Sequence, residues 1–97
     1  MPGSDSSTPA LNIDVAERFR EAADLLEAQE ASPFRVRAYR QGASTLTQLD
    51  RSVEAIYEKE GREGLEDLPN IGASLTNAIV EMLQTGGRWR FLERLEG

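Results

Sequence analysis

Apolar side chains recur at three- and four-residue steps through most of the chain, the spacing of one face of an α-helix. Val15, Ala16, Phe19, Ala22, Ala23 and Leu26 form the first such stripe and predict a helix over about 13–30. Asp14, followed three residues later by Glu17, reads as a capping box at its start. Ser32-Pro33 restarts the chain, because serine suits a helix cap and proline the first helical position. A second helix then runs to about Leu49, with Val36, Tyr39, Ala43 and Leu46 inward. A short third helix fits 52–60, burying Val53, Ile56 and Tyr57, and ends at Gly61, which is free to take a left-handed φ. The stretch 64–69 leads into a turn. Leu75, Ala78, Ile79 and Met82 mark a fourth helix over 72–85, closed by Gly86-Gly87. Phe91, Leu92 and Leu95 mark a fifth, from Arg88 to Leu95. No segment alternates apolar and polar residues as a strand does, so no sheet is expected. The predicted fold class is all-α, a compact bundle of about five short helices. Residues 1–11, rich in Ser, Pro and Gly, read as a disordered leader to a single domain at 12–97.

A length of 97 residues allows one modest core and no second domain. No apolar run exceeds three residues, whereas a membrane-spanning helix needs ~20. The start lacks the basic and then apolar pattern of a secretory signal. Cysteine and histidine are both absent, which excludes disulfides, Cys/His zinc sites and Ser–His or Cys–His nucleophile pairs. The same absence fits a reducing, cytoplasmic setting. The net charge of −6 taken alone argues against a phosphate-bearing partner, but the charge is unevenly spread. Residues 1–30 carry seven acids against two bases, and 50–67 carry seven against three. Residues 31–49 hold three arginines and no acid, and 68–97 balance at three and three. A neutral-to-basic face on an acidic body is therefore available.

The densest information lies at Leu68-Pro69-Asn70-Ile71-Gly72. Proline fixes φ and starts a tight turn. Asn70 stands where a left-handed conformation is expected, and asparagine tolerates it best after glycine. Gly72 lets another molecule approach the backbone, and the helix after it presents unpaired amides and the positive end of its dipole. A phosphate fits that end without any lysine. Leu68 and Ile71 would anchor the turn between two helices, making the element a helix-hairpin-helix.

Ser32-Pro33-Phe34-Arg35-Val36-Arg37-Ala38-Tyr39-Arg40 resembles a characteristic run in the small N-terminal domain of family X DNA polymerases, especially bacterial ones. Leu68 to Gly72 is similar to that domain's hairpin, Thr85-Gly86 to the end of its second hairpin helix, and Ala22 to Glu27 to its first helix. The resemblance covers about 12–95. It implies a helical domain that binds gapped or nicked DNA, often through a 5′-phosphate, within a larger repair or replication protein. Some members also remove a sugar-phosphate remnant through a lysine Schiff base. The chain departs from the family at the residues that perform that chemistry. Ala78 stands at the Schiff-base lysine, Glu66 and Ser74 stand at two phosphate-pocket lysines, and the hairpin's usual first glycine is Asn70. The only lysine is Lys59, on a charged helix. A Schiff base needs an amine, so no lyase activity is expected. Arg35, Tyr39 and Arg40 are retained, and the family also implies a monovalent cation on the backbone carbonyls of Glu66, Leu68 and Ile71.

The expected function is thus non-catalytic, sequence-independent DNA binding. The contacts assigned to it are Asn70, Ile71, Gly72, Ala73 and Ser74, assisted by Arg35, Tyr39, Arg40, Arg88 and Arg90. Plainer readings stand beside these. The arginines at 35, 37 and 40 can pair with neighbouring acids, Tyr39 can be core, and Arg88-Trp89-Arg90-Phe91 can be packed aromatics with solvated cations rather than a stacking surface. Phe91 favours packing, and Trp89 is undecided. Glu58, Glu60 and Glu63 read as a solvated face rather than a divalent-metal site. The alternative function is a protein-interaction or scaffold domain that kept the fold and lost the ligand. A lyase using Lys59 or the terminal amine is the third reading. Further domains or a protein partner fit a chain that is a fragment of a longer protein.

Overall fold

The computed structural model describes residues 8–97. Most of the predicted leader, 1–7, lies outside the described residues. Within them the chain forms five helices and no strand: α1 (Ala10–Ala28), α2 (Pro33–Leu46), α3 (Val53–Glu66), α4 (Ala73–Thr85) and α5 (Arg90–Glu96). The all-α bundle predicted from the spacing is the one observed.

The helix start moves upstream of the expected capping box. Pro9 is the N-cap of α1, and its carbonyl accepts from the amides of Asn12 (3.0 Å) and Ile13 (3.2 Å). Ala10 and Leu11 are therefore helical rather than part of a leader, and Asp14 sits a turn inside the helix. The reason is a tertiary lock. Asn12 is fully buried; its Oδ1 accepts from the Val53 amide (2.9 Å) and its Nδ2 donates to the Arg51 carbonyl (2.8 Å). Those two bonds tie the first turn of α1 to the start of α3. At its other end α1 closes with Glu30 at φ 58°, while the Ala31 amide reaches back to the Leu26 carbonyl at 2.9 Å. This is the reverse turn that helices usually make with glycine.

The second helix stops at Leu46 rather than Leu49. The Thr8 hydroxyl donates to the Thr47 carbonyl and the Thr47 hydroxyl to the Ser44 carbonyl, so side chains take up the last carbonyls. The third helix starts as expected at Ser52, whose hydroxyl accepts from Ala55 N (3.0 Å). Gly61 breaks it with φ 71°, but the chain resumes helical geometry to Glu66. That second piece, read as a lead-in to a turn from the sequence, is the first helix of the hairpin. The fifth helix begins at Arg90, two residues late. The Arg88 amide is engaged by the Thr85 hydroxyl (3.0 Å), and the Glu81 carboxylate accepts from the Arg90 amide (2.8 Å), which fixes the start.

The core follows the stripes. Val15, Phe19, Leu26, Val36, Leu46, Val53, Ile56, Leu65, Ile71 and Ile79 are all buried, and each such side chain contributes roughly 1.5–3 kcal/mol. The alanines of α1 let it lie along α2, α4 packs on the second half of α3, and α5 returns to α1. Trp89, undecided from sequence, is 5% exposed and edge-on to Phe19 and Tyr39, with ring centroids 5.5 Å away in each case. Phe91 packs on the outside of this cluster, 5.4 Å from Trp89 and 6.0 Å from Tyr39, and stays half-buried rather than core. Gly42 decides where the hairpin sits. A Cβ there would overlap the end of the Leu75 side chain and come within 3.4 Å of Ile71, so glycine lets α2 close against the start of α4 without displacing Leu75.

Candidate nucleic-acid interface

The turn after α3 is closed by two short bonds, Leu68 N to the Leu65 carbonyl and Ile71 N to the Leu68 carbonyl, each 3.1 Å. Asn70 takes the left-handed conformation expected of it, φ 64°, and its Nδ2 donates to the Thr45 hydroxyl at 3.3 Å. The side chain therefore pins the turn to α2 as well as tolerating it. Ile71 is buried and anchors the turn, and Leu68 is half-buried beside the core.

Gly72 is the N-cap of α4, in extended geometry with φ −91° and ψ −168°, a conformation any residue adopts. A Cβ added there meets nothing within 4 Å. The fold itself therefore gives no reason for glycine at this place. No side chain caps the helix, and the first amide after the turn to find a partner is that of Thr76, bonded to the Gly72 carbonyl at 2.9 Å. Among the described residues the amides of Gly72, Ala73 and Ser74 donate to nothing, and all three residues are exposed. They present the positive end of a 13-residue helix to solvent.

Ser74, the last of the three, lines a shallow cleft of about 180 Å³ together with Phe34, Arg35, Ala38, Tyr39 and Leu75. The starts of α2 and α4 meet there, and no carboxylate of the described residues lines it. Arg35 makes no ion pair among the described residues; its guanidinium lies 5.0 Å from the centroid of the Phe91 ring. Tyr39 is 4% exposed, packed between Phe19, Trp89 and Phe91, with its edge on the cleft, so it serves packing and cleft together. Phe34 is 80% exposed at the cleft's rim. It was missed from sequence, although a signal was present: a phenylalanine two residues before Val36 falls off the apolar stripe of α2, where an aromatic has no packing role.

The other predicted contacts lie elsewhere. Arg40 is held by Asp24 (2.9 Å) and Glu27 (3.0 Å) on the far flank, beside a groove lined by Glu30, Arg37 and Gln41. The hydrogen bonds and charge of Arg40 hold the Glu27 carboxyl below the usual carboxylate range, and the two acids raise Arg40 in turn. Arg88 pairs with Glu93 at 3.1 Å, which raises its pKa, on a surface shared with Asp14, Glu17, Glu21 and Glu96. Among the described residues Arg90 is engaged through its backbone amide, by Glu81. The structure thus gathers Ser74, Arg35 and Tyr39 beside Gly72 and Ala73, and leaves Arg40 and Arg88 matched with acids.

Ala78 is buried in the core, and Lys59 is exposed on the first half of α3. Glu60 pairs with Arg51 at 3.0 Å, and among the described residues no group of acids is arranged to hold a metal ion. Of the three hairpin carbonyls, Leu68's accepts from the Ile71 amide, while those of Glu66 and Ile71 accept no hydrogen bond among the described residues. No helix of the described residues is long and apolar enough to cross a membrane. The sequence matches the helix-hairpin-helix domain family over residues 10–88. No curated protein matches it.

Proposed function

Since the chain belongs to the helix-hairpin-helix domain family, whose domains generally bind DNA without sequence specificity, we propose that it is a non-catalytic module for the DNA phosphate backbone. One observation carries this reading. Among the described residues the amides of Gly72, Ala73 and Ser74 have no partner, and Ser74 lines a cleft that holds an arginine without an ion pair and no carboxylate. A phosphate oxygen there accepts from the amides at the helix start, while Arg35 supplies the charge and the Tyr39 hydroxyl a further polar contact. Backbone donors read no base, so binding is independent of sequence.

Phe34 refines the ligand. An exposed aromatic beside a phosphate site suits an unpaired base, which stacks on it, better than a continuous duplex. Together with the similarity to the N-terminal domain of family X polymerases, this favours gapped or nicked DNA and a place in a repair or replication protein. Ala78 supplies no amine for a Schiff base, so the module binds the end without cutting it. The free carbonyls of Glu66 and Ile71, with the second lone pair of Leu68's, have the neutral oxygen chemistry that would hold a monovalent cation behind the turn. Arg40 and Arg88 keep their acids when DNA is bound, while Arg90 is left to lie near the backbone.

The test is a titration of the ¹⁵N-labelled chain with a gapped, 5′-phosphorylated duplex at low salt. The amides of 72–74 and the Arg35 and Phe34 signals should move. Two or three phosphate contacts should give a slope of log K against log salt of about −2 to −3. No binding at low salt, or shifts confined to α1 and the first half of α3, would overturn the reading and leave a scaffold domain.

A further inference from the structure

On a chain with 17 acidic residues and net charge −6, carboxylates capture three arginines among the described residues, Arg40, Arg51 and Arg88. Arg40 shows this, with Asp24 and Glu27 both bonded to its guanidinium. Arg35 lies five residues earlier on the same helix and escapes it. Its guanidinium sits over the Phe91 ring, 5.0 Å from the centroid. We infer that Phe91 is a positioning residue for DNA binding: its ring face holds the Arg35 guanidinium at the cleft without neutralising it. The inference rests on the DNA-binding reading above.

The chemistry of the contact is what separates it from an ion pair. A carboxylate that orients a guanidinium also cancels its charge and occupies N–H donors. A ring face attracts the cation through its quadrupole and leaves the five N–H groups at the guanidinium edge unbonded. Phe91 can do this because it is itself fixed, stacked on Tyr39 with an interplanar angle of 27° and packed against Trp89. Phe91 is on α5, whereas Arg35 is on α2 and Ser74 on α4. The last helix, which supplies no lining residue to the cleft, thereby sets the position of the cleft's cation. Pre-organisation of this kind shortens the search an arginine otherwise makes when it binds phosphate.

The test uses Phe91→Leu, Phe91→Tyr, Arg35→Gln and the Arg35→Gln/Phe91→Leu pair in the full chain, with folding checked by circular dichroism. In the free protein, the side-chain protons of Arg35 should carry an upfield ring-current shift that Phe91→Leu abolishes and Phe91→Tyr keeps. Against gapped 5′-phosphorylated DNA, Phe91→Leu should bind about two- to fivefold more weakly, Phe91→Tyr should bind as the parent does, and the double variant should match Arg35→Gln alone. Unshifted Arg35 protons in the parent, or additive losses in the double variant while the parent binds normally, overturn the role of Phe91 alone. A parent that binds no DNA overturns the DNA reading and this role with it, even if the ring-current shift is present.

Discussion

Replacing Gly72 by aspartate should make the domain more stable and its DNA binding much weaker, two effects that ordinary damage to a fold cannot combine. The backbone at Gly72 is extended and a Cβ there meets nothing within 4 Å, so the substitution introduces neither strain nor overlap. Three favourable effects then add. Aspartate is a better N-cap than glycine by a few tenths of a kcal/mol. Its charge interacts with the helix start for roughly 0.3–1 kcal/mol, and loss of a glycine restricts the unfolded chain by roughly 0.4–1 kcal/mol. The sum is about 1–2 kcal/mol, a rise in Tm of about 4–8 °C per kcal/mol for a domain of this size. The same carboxylate occupies the amides of Ser74 and Leu75 and places a negative charge beside any phosphate bound there. Charge repulsion at an effective dielectric between surface and bulk costs roughly 1–3 kcal/mol, and the displaced charge-assisted hydrogen bonds cost roughly 1.5–3 kcal/mol more. Taken conservatively, binding should weaken by about 2–4 kcal/mol, roughly 30- to 900-fold. Differential scanning calorimetry and fluorescence anisotropy with gapped DNA, run on the same preparation, report the two halves. If aspartate lowers Tm, the helix start is not the open cap described. If Tm rises and affinity is unchanged, phosphate does not bind at these amides.

The remaining predictions concern the scaffold that holds this site. Gly42→Ala pushes a methyl group into Leu75 and should cost about 1–3 kcal/mol in urea unfolding; native-like stability would mean that α2 and the hairpin are not in the close register observed. Glu30 holds a left-handed φ of 58° that costs a non-glycine roughly 1–2 kcal/mol. After the entropy penalty of roughly 0.4–1 kcal/mol, Glu30→Gly should stabilise the domain by about 0.5–1 kcal/mol in the same assay. The Glu27 carboxyl is held below its ordinary range by Arg40, so the stability from this pair is present above the ordinary carboxylate range and lost as pH falls through the lowered folded value. A ¹³C-detected titration should find its midpoint below that of free glutamate, and Arg40→Gln should return it to the ordinary range.

Much of the architecture was legible because its causes are local. Stripes such as Val15-Phe19-Ala22-Leu26 repeat within one or two turns, so any helix containing them must turn that face inward, and five helices follow. Asn70 in the left-handed region was legible for the same reason, since proline, asparagine and the following helix constrain one another over five residues. The places where expectation and structure part are those where a distant group intervenes. Asn12 draws the start of α1 away from the Asp14–Glu17 box because its partners are 39 and 41 residues off. Gly61 ends the first piece of α3 as expected, but helical geometry resumes after it to Glu66, because Leu65 beyond it has a core to enter.

The candidate site divides along the same line. That open amides would follow Pro69 was written in the hairpin itself, because helix starts leave donors without partners whatever surrounds them. Which cations would stand beside them was not. Arg35 and Arg40 are the same residue type five positions apart on one helix, and nothing near either of them in the chain distinguishes a free guanidinium from a neutralised one. The crossing of α1 over α2 delivers Asp24 and Glu27 to Arg40, and the return of α5 delivers an aromatic ring to Arg35. Short-range stereochemistry is encoded in neighbouring residues, whereas the electrostatic partner of a long side chain depends on which helix passes within a few ångströms of its tip, and that is set only when the core closes.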